Sequence, residues 1–319
     1  SNNNYFGALD KPASLNLRIT DLQPNTKYYY KLFVITESGI QYSNEIVFTT
    51  LTNPWNKTSD FKGAGRQNAL SFTISTKGYI CHGNIASPNL YKDVWEFNPS
   101  NSQWTQKSNF PGQDLIGATS FVINNKGYVV TGLCNCKEVW EYDPSTDTWT
   151  QKNDFPERNI YYATSFTINN KGYIGTGIKY GNLLKSFWEY EPTSDTWIRR
   201  ADYPDRAVDV AVGFSIYDKG YIATGNTSSQ ASQSLWEYNP ILDKWTRKSD
   251  IPMQTYGAVG FSIKNKGFVG LGNSAGSRFF VYDPILDSWQ KVVDFPGGKR
   301  EGASVIVIND IAYIGLGAS

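Results

Sequence analysis

Residues 188–197 read Trp-Glu-Tyr-Glu-Pro-Thr-Ser-Asp-Thr-Trp, and this pair of tryptophans nine positions apart recurs along the chain. The second tryptophan of the pair recurs at intervals of 44 to 49 residues, at Trp55, Trp104, Trp149, Trp197, Trp245 and Trp289. Another aromatic residue stands nine positions before five of them, at Trp95, Trp140, Trp188, Trp236 and Phe280. A residue used once per repeat is typical of packing in a repeat architecture, so we expect all ten tryptophans to be structural.

A second signature, Phe-x-Ile-x-x-Lys-Gly-aromatic, lies between successive tryptophan pairs, at residues 72–79, 121–128, 166–173, 214–221 and 261–268. Alternating apolar residues around a short polar turn predict a tight hairpin, and we expect the glycine to supply the positive φ of that turn. Each unit then has four short strands: the hairpin, the Trp-Glu-Tyr segment and the strand around the later tryptophan. Such units are too small to bury both sheet faces alone, which predicts an all-β propeller of stacked sheets.

The repeats resemble those of the Kelch family, in which a glycine pair ends the second strand and a Tyr-x-Pro segment forms the third. Here the pair is reduced to one glycine, in His82-Gly83, Thr131-Gly132, Thr176-Gly177, Thr224-Gly225 and Leu271-Gly272. The resemblance spans residues 53–319 and implies six blades. A sixth hairpin covers residues 303–317, and we expect a strand around Trp55 to complete that blade. Its third strand is then expected beyond Ser319, although residues 46–48 offer a competing position.

The first fifty residues have a different pattern. Residues 22–28, Leu-Gln-Pro-Asn-Thr-Lys-Tyr, resemble the tyrosine corner of a fibronectin type III domain. This resemblance implies that residues 14–20, 28–35 and 45–50 are the last three strands of such a sandwich. We therefore expect residues 1–51 to be part of a fibronectin type III-like domain and residues 53–319 to be the propeller.

Composition excludes several classes of function. The 30 Lys and Arg residues are balanced by 29 Asp and Glu residues, so the net charge of +1 provides no field for nucleic acid. No apolar run of about 18 residues is present, so we expect no membrane insertion by this segment. The only histidine, His82, excludes any site that needs two imidazoles. We expect Cys81 to be buried in a strand and Cys134 and Cys136 to be loop thiols. We therefore expect no metal, no cofactor and no disulfide framework.

The connections between the second and third strands differ from blade to blade, which favours ligand binding on that face. The connectors that lead into the blades place four arginines near the central mouth: Arg66, Arg158, Arg206 and Arg300. Loop tyrosines that could stack on a sugar ring or anchor a protein are Tyr91, Tyr161, Tyr162, Tyr180 and Tyr256. These arginines and tyrosines are the candidate ligand-binding residues. Nearby carboxylates that could neutralise the arginines instead are Asp114, Glu157, Asp205, Asp209 and Glu301.

We expect no catalytic residue among the recurring carboxylates Glu96, Glu141, Glu189 and Glu237, because one per blade in the same position indicates a structural role. The leading hypothesis is a non-enzymatic binding module for a glycan or a protein. The combination of domains is similar to that of secreted or cell-surface bacterial proteins, which implies an extracellular location. The Kelch family also includes metal-independent sialic-acid mutarotases, so a sugar mutarotase or isomerase is the alternative. A copper oxidase of the family needs two histidines, which this chain lacks.

Overall fold

A computed structural model describes residues 26–49, 54–85, 90–134 and 136–319. All regular secondary structure in these residues is β-strand, and no helix that could cross a membrane occurs among them. The chain divides into two compact units, Ser1–Asn56 and Lys57–Ser319.

The first unit contains a long hairpin. Its strands are β1 (Lys27–Tyr30), β2 (Phe33–Thr36), β3 (Gly39–Tyr42) and β4 (Ile46–Thr49), in which β1 pairs with β4 and β2 pairs with β3. The Tyr28 ring stacks on Phe48 across the hairpin, with ring centroids 5.8 Å apart. The segment predicted as one strand at residues 28–35 is divided between β1 and β2, the segment predicted at residues 45–50 contains β4, and β3 was not predicted. The third predicted segment, at residues 14–20, lies outside the described residues.

Within the described residues, the second unit contains seven sheets, of which the six built on the repeats are numbered here in chain order. Sheet one has β5 (Leu70–Ile74), β6 (Lys77–Cys81), β7 (Val94–Asn98) and β8 (Gln103–Lys107); sheet two has β9 (Thr119–Ile123), β10 (Lys126–Val130), β11 (Val139–Asp143) and β12 (Thr148–Lys152). Sheet three has β14 (Thr164–Ile168), β15 (Lys171–Gly175), β18 (Phe187–Glu191) and β19 (Thr196–Arg200). Sheet four has β20 (Val212–Ile216), β21 (Lys219–Ala223), β22 (Leu235–Asn239) and β23 (Lys244–Lys248); sheet five has β24 (Val259–Ile263), β25 (Lys266–Gly270), β26 (Phe279–Asp283) and β27 (Ser288–Val292). Sheet six has two strands, β28 (Ser304–Ile308) and β29 (Ile311–Gly315). A small extra sheet joins β13 (Ile160–Tyr161), β16 (Ile178–Lys179) and β17 (Asn182–Leu183).

The first strands of the six sheets contact one another in a closed cycle, in the order β5, β9, β14, β20, β24, β28 and back to β5. Side-chain hydroxyls link neighbouring sheets within this cycle. Ser71 Oγ donates to the carbonyl of Val305 at 2.8 Å, and Ser215 Oγ donates to the carbonyl of Thr167 at 2.6 Å. Several four-stranded antiparallel sheets in an all-β chain are consistent with a β-propeller.

The hairpin glycines are needed for packing between sheets and not for the turn. Positive φ occurs at the turn residues themselves, for example 49° at Asn124 and 59° at Asn125. Gly127 lies one position into β10, and a Cβ there would be 2.6 Å from the Phe72 ring of the preceding sheet. The expectation that glycine supplies the turn conformation is therefore wrong, because Asn adopts positive φ readily and the glycine serves the neighbouring ring.

After sheets one, two and three, an aromatic residue packs on the tryptophan pair of the next sheet. Phe110, for example, lies in edge-to-face contact with Trp140 and Trp149, at centroid distances of 5.9 and 5.2 Å. Phe61 lies against Trp95 and Trp104 in the same way. The tryptophans therefore pack between sheets, as their periodicity predicts.

The structure assigns no strand to residues 54–60, so it does not show the strand predicted around Trp55. Phe61, however, has the packing expected of a residue that follows such a strand. Within the described residues, β29 pairs only with β28. The closure of the sixth blade by the segment around Trp55 stays a prediction.

The recurring carboxylates are hydrogen-bonded inside their sheets. The Tyr79 hydroxyl donates to Glu96 at 2.8 Å, and the Tyr173 hydroxyl donates to Glu189 at 2.9 Å. Glu189 also accepts from Lys171. Burial alone would raise the pKa of Glu189, but these donors, with Arg200, outweigh it and hold the pKa below its ordinary value. The contacts give these glutamates the structural role that their repetition indicates.

Candidate functional site

Six residues with positive φ encircle the point where the first strands begin. We call them the mouth ring: Asn68, Gly117, Tyr162, Val210, Gly257 and Gly302, with φ between 43° and 63°. Five ring residues donate their backbone N–H to the carbonyl of the neighbouring ring residue. These bonds run from Asn68 to Gly302, Tyr162 to Gly117, Val210 to Tyr162, Gly257 to Val210 and Gly302 to Gly257. These bonds are 2.6 to 3.1 Å long. They hold even the β-branched Val210 in a conformation that is normally strained.

An open cavity of about 490 Å³ extends inward from the mouth ring and is lined by the first strands. Its walls carry mainly small residues and hydroxyls, such as Ser71, Ser120 and Ser165. The lining begins one residue after the ring, for example at Ala69 and Ala163, so the mouth ring borders this cavity.

Larger side chains lie across the glycines of the mouth ring. A Cβ at Gly117 would be 2.6 Å from the Tyr162 ring, and a Cβ at Gly257 would be 2.8 Å from Glu301 Cγ. The Tyr161 and Tyr162 rings meet edge to face, with centroids 5.4 Å apart. Only glycine leaves room for Tyr162 and Glu301 in these places, so the ring sequence positions both side chains at the mouth.

Asp209 is the most unusual residue of this group. It is 6% exposed, and its Oδ1 has no hydrogen-bond partner among the residues that the structure describes. Its backbone pairs with Asn226 in both directions, at 3.1 and 2.9 Å. Burial raises the pKa of Asp209, although a hydrogen bond from the Asn226 side chain opposes the shift. A buried carboxylate oxygen without a partner is rare in proteins and marks a position where a ligand donor would be stabilised.

Asp209 and Glu301 both act electrostatically on the Tyr162 hydroxyl. Burial raises the pKa of the Tyr162 hydroxyl, and the charges of Asp209, Tyr161 and Glu301 raise it further. Asn273 Nδ2 donates to Glu301 Oε2 at 3.1 Å. The mouth therefore combines carboxylates, amides and a tyrosine hydroxyl, which can donate to and accept from a polar, uncharged ligand.

Two of the four candidate arginines have structural contacts. The Arg66 guanidinium is fully buried and forms a two-bond ion pair with Asp93, at 2.5 and 2.8 Å. The Arg66 Cζ atom also lies 4.0 Å from the centroid of the Tyr91 ring, so Tyr91 packs in the same cluster. Arg300 is half-buried and donates to the carbonyl of Leu316 at 3.2 Å. Asp93 and the carbonyls of Ala64 and His82 hold the Arg66 guanidinium inside the protein, which favours a structural role for Arg66 over contact with a ligand.

Arg158 and Arg206 are exposed, and their guanidinium groups have no hydrogen bond or ion pair within the part of the chain that the structure describes. The neighbouring carboxylates do not neutralise them. Glu157 accepts from the Trp188 indole and from Lys179, and Asp205 accepts from the Trp236 indole.

The other tyrosines are dispersed. Tyr256 is half-buried next to Gly257 of the mouth ring, whereas Tyr180 is 60% exposed on the turn between β16 and β17. Tyr161, Tyr162 and Tyr256 therefore belong to the mouth, and Tyr91 and Tyr180 do not.

Sequence reasoning missed the amides Asn68, Asn226 and Asn273 and treated Asp209 and Glu301 only as possible partners of arginine. All five residues stand directly before or after the first hairpin of a sheet. This shared position was the signal in the sequence that could have identified them as residues of the mouth.

The cysteines and the histidine offer no catalytic group. Cys134 and Cys136 form a disulfide with Cα atoms 5.1 Å apart, so the expectation of two free loop thiols is wrong. A gap of one residue keeps the two Cα atoms within disulfide reach. Cys81 is buried in β6, and burial raises the pKa of its thiol. Burial, with Lys92 nearby, lowers the pKa of His82 to about 3, so the ring is neutral in ordinary buffers.

Comparison with known proteins identifies the fold alone. No protein-family profile matches the chain, and no curated protein matches it significantly. Among solved structures, one titled "Structure of YjhT" superposes with a TM-score of 0.68 and 14% sequence identity. The match covers 79% of this chain and 90% of that one. The chain is therefore similar in fold to YjhT, in agreement with an all-β, propeller-like architecture.

Proposed function

We propose that the chain is a six-bladed Kelch-type propeller preceded by part of a fibronectin type III-like domain, and that it binds a carbohydrate at its mouth without catalysis. The closed cycle of six first strands supports six blades, and the hairpin of β1 to β4 supports the fibronectin assignment. The observation that carries the functional proposal is the partnerless Oδ1 of the buried Asp209.

The chemistry of the mouth favours sugar hydroxyls over a purely anionic ligand. A hydroxyl can donate to Asp209 Oδ1 while its oxygen accepts from an amide or from Tyr162. Tyr161 and Tyr256 offer half-buried rings for the apolar face of a sugar. Arg158 and Arg206, exposed on the connectors, are available for an acidic group on the same ligand. A protein ligand is the other occupant that such loops would accept.

We also propose an extracellular location. The Cys134–Cys136 disulfide supports it, because disulfides persist mainly in oxidising compartments. Thiol titration of the denatured parent protein, purified from the secreted fraction, tests this point: one free thiol, that of Cys81, is expected, and three would contradict the proposal.

Replacement of Asp209 by Asn should weaken glycan binding by about 10- to 100-fold, the range expected for a hydrogen bond to a charged group. A labelled-protein glycan array would select the ligand, and calorimetric titration would compare the two proteins. The matched control is Asp114→Asn, because Asp114 is an exposed connector carboxylate that pairs only with Lys92. Equal affinity of the Asp209→Asn variant and the parent would contradict the proposal.

The pH dependence of stability distinguishes a ligand-binding role of Asp209 from a structural one. Because the folded-state pKa of Asp209 is raised, its contribution to stability is full below the unfolded pKa and is lost as the pH rises through the folded pKa. The melting temperature of Asp209→Asn relative to the parent should therefore increase between about pH 4 and pH 7. A relative melting temperature that falls over this interval would assign Asp209 to fold maintenance.

A sugar mutarotase is the second candidate, and the burial of Asp209, which raises the pKa of its carboxyl group, is the observation that favours it. A carboxyl group with a raised pKa can hold the proton that general acid catalysis at a ring oxygen requires. NMR of freshly dissolved sugar anomers would detect this activity. Faster mutarotation in the presence of the protein, lost in Asp209→Asn, would replace binding by catalysis as the function.

A further inference from the structure

A short hairpin stands beside the mouth on sheet three. Its strands, β16 and β17, are joined by two residues, Tyr180 and Gly181, with positive φ values of 48° and 81°. Two positive φ values at the centre of a two-residue turn are typical of a type I′ turn, in which asparagine and glycine are preferred. Residues 180–182 are exposed. The hairpin therefore presents an aromatic ring to solvent on a turn of fixed shape.

The base of the hairpin is attached to both sides of the mouth. Ile178 pairs with Tyr161, which lies at the mouth. On the other side, the backbone N–H of Gly177 donates at 2.8 Å to the carbonyl of the residue before Asp209. Tyr180 stands two residues beyond Ile178, which in an extended strand is roughly 7 Å. The hairpin therefore places Tyr180 next to the mouth and outside it.

An exposed arginine, Arg158, lies at the same hairpin. Glu157, the residue before it, accepts from Lys179 Nζ at 2.8 Å, and Lys179 directly precedes the turn. The other oxygen of Glu157 accepts from the Trp188 indole at 3.0 Å. These bonds hold the connector against the hairpin and occupy the carboxylate that could otherwise pair with Arg158. Arg158 and Tyr180 are therefore an exposed cation and an exposed ring on neighbouring backbone segments.

The closed cycle of first strands decides how a sugar chain can approach. Because six sheets surround the mouth, a chain enters it by one end, with the terminal residue inside and the next residue outside. The carboxylates of Asp209 and Glu301 at the mouth disfavour a negative charge on the terminal residue. Outside, an aromatic ring can stack on a sugar, and a guanidinium group can bind a carboxylate through two hydrogen bonds. The mouth therefore fits a neutral sugar, and the hairpin fits an acidic one.

We propose that Tyr180 and Arg158 form a second subsite, which binds the second residue of an oligosaccharide whose neutral terminal sugar occupies the mouth. This second residue carries a carboxylate. Tyr180 stacks on its ring, and Arg158 binds its carboxylate. The inference rests on the proposed function, because it needs a sugar in the mouth, and it adds the length and the charge of the ligand.

Calorimetric titration of the full chain tests the subsite with matched probes. Each set contains one hexose (galactose, glucose or mannose) and two disaccharides with that hexose at the non-reducing end, linked to glucuronic acid or to glucose. The glucuronic acid disaccharide should bind about tenfold or more tightly than the glucose disaccharide, and Arg158→Gln should remove this preference. Tyr180→Asn should lower the affinity ratio of disaccharide to hexose by about three- to tenfold, the range of an aromatic stacking contact.

The matched control is Tyr217→Asn. Tyr217 is also an exposed tyrosine with positive φ, 53°, but it follows β20 at the opposite end of that strand from the mouth ring. Both asparagine variants should keep or raise the melting temperature, because asparagine adopts positive φ readily. Only Tyr180→Asn should change the affinity ratio.

The outcomes separate this inference from the proposed function. Equal affinity for the three probes, with binding that Asp209→Asn still weakens, would overturn the second subsite and leave binding at the mouth intact. A preference for glucuronic acid that survives Arg158→Gln would also overturn the subsite. Absence of binding to every probe would overturn the proposed function and this inference with it.

Discussion

Replacement of Arg66 by Met should lower the free energy of unfolding by about 3–5 kcal/mol, the cost of leaving one member of a buried ion pair without its partner. The Arg66 side chain is fully buried and donates to both oxygens of Asp93 and to the carbonyls of Ala64 and His82. The remaining Asp93 carboxylate would keep only the Trp95 indole as a donor. Urea denaturation followed by tryptophan fluorescence would measure the loss.

The matched control is Arg158→Met, which removes an exposed guanidinium from an equivalent type of connector. Its free energy of unfolding should change by less than about 0.5 kcal/mol. If both variants lose the same stability, the assignment of Arg66 to the core rather than to the ligand site is wrong.

Replacement of Glu189 by Leu should lower the free energy of unfolding by a similar amount, about 3–5 kcal/mol. The Glu189 side chain is 1% exposed and accepts from Lys171, Tyr173 and Arg200. Removal of the carboxylate takes the acceptor away from the Tyr173 hydroxyl and the charged Arg200, while Lys171 keeps its ion pair with Glu191.

The loss should depend on pH. Because the folded-state pKa of Glu189 is lowered, its contribution is present above the unfolded pKa of about 4.3 and is lost as the pH falls through the folded value. The stability difference between the variant and the parent should therefore shrink in acid. The control Asp218→Asn, which removes a partner of the adjacent Lys219 only, should change stability by less than about 1 kcal/mol. A Glu189 effect that is constant down to about pH 2 would contradict this account.

The repeat was readable from the sequence because its signals are local. Alternating apolar residues and a short Asn-Lys-Gly turn define each hairpin, and the tryptophan spacing defines each unit. The role of Gly127 was not readable, because the Phe72 ring that requires it belongs to the preceding sheet. Local patterns therefore predict the sheets, whereas contacts between sheets decide what individual residues do.

The candidate site was predicted less well for the same reason. Arg66 and Arg158 look alike in the sequence, but Asp93, 27 residues downstream, buries the first and leaves the second exposed. Asp209 looks like a surface carboxylate, and only the hydrogen-bonded mouth ring places it in the interior. The Cys134–Cys136 disulfide was missed because an odd cysteine count argues against a framework of several bridges and says nothing about a single local one.

The central claim is that a glycan binds at the mouth through the free oxygen of Asp209, and a crystal structure with the glycan selected on the array tests it most directly. The account predicts a sugar hydroxyl at hydrogen-bond distance from Asp209 Oδ1, roughly 2.5–3.0 Å, with the sugar in contact with Tyr162. A glycan bound on the outer loops, with Asp209 Oδ1 still buried and without a partner, would contradict it.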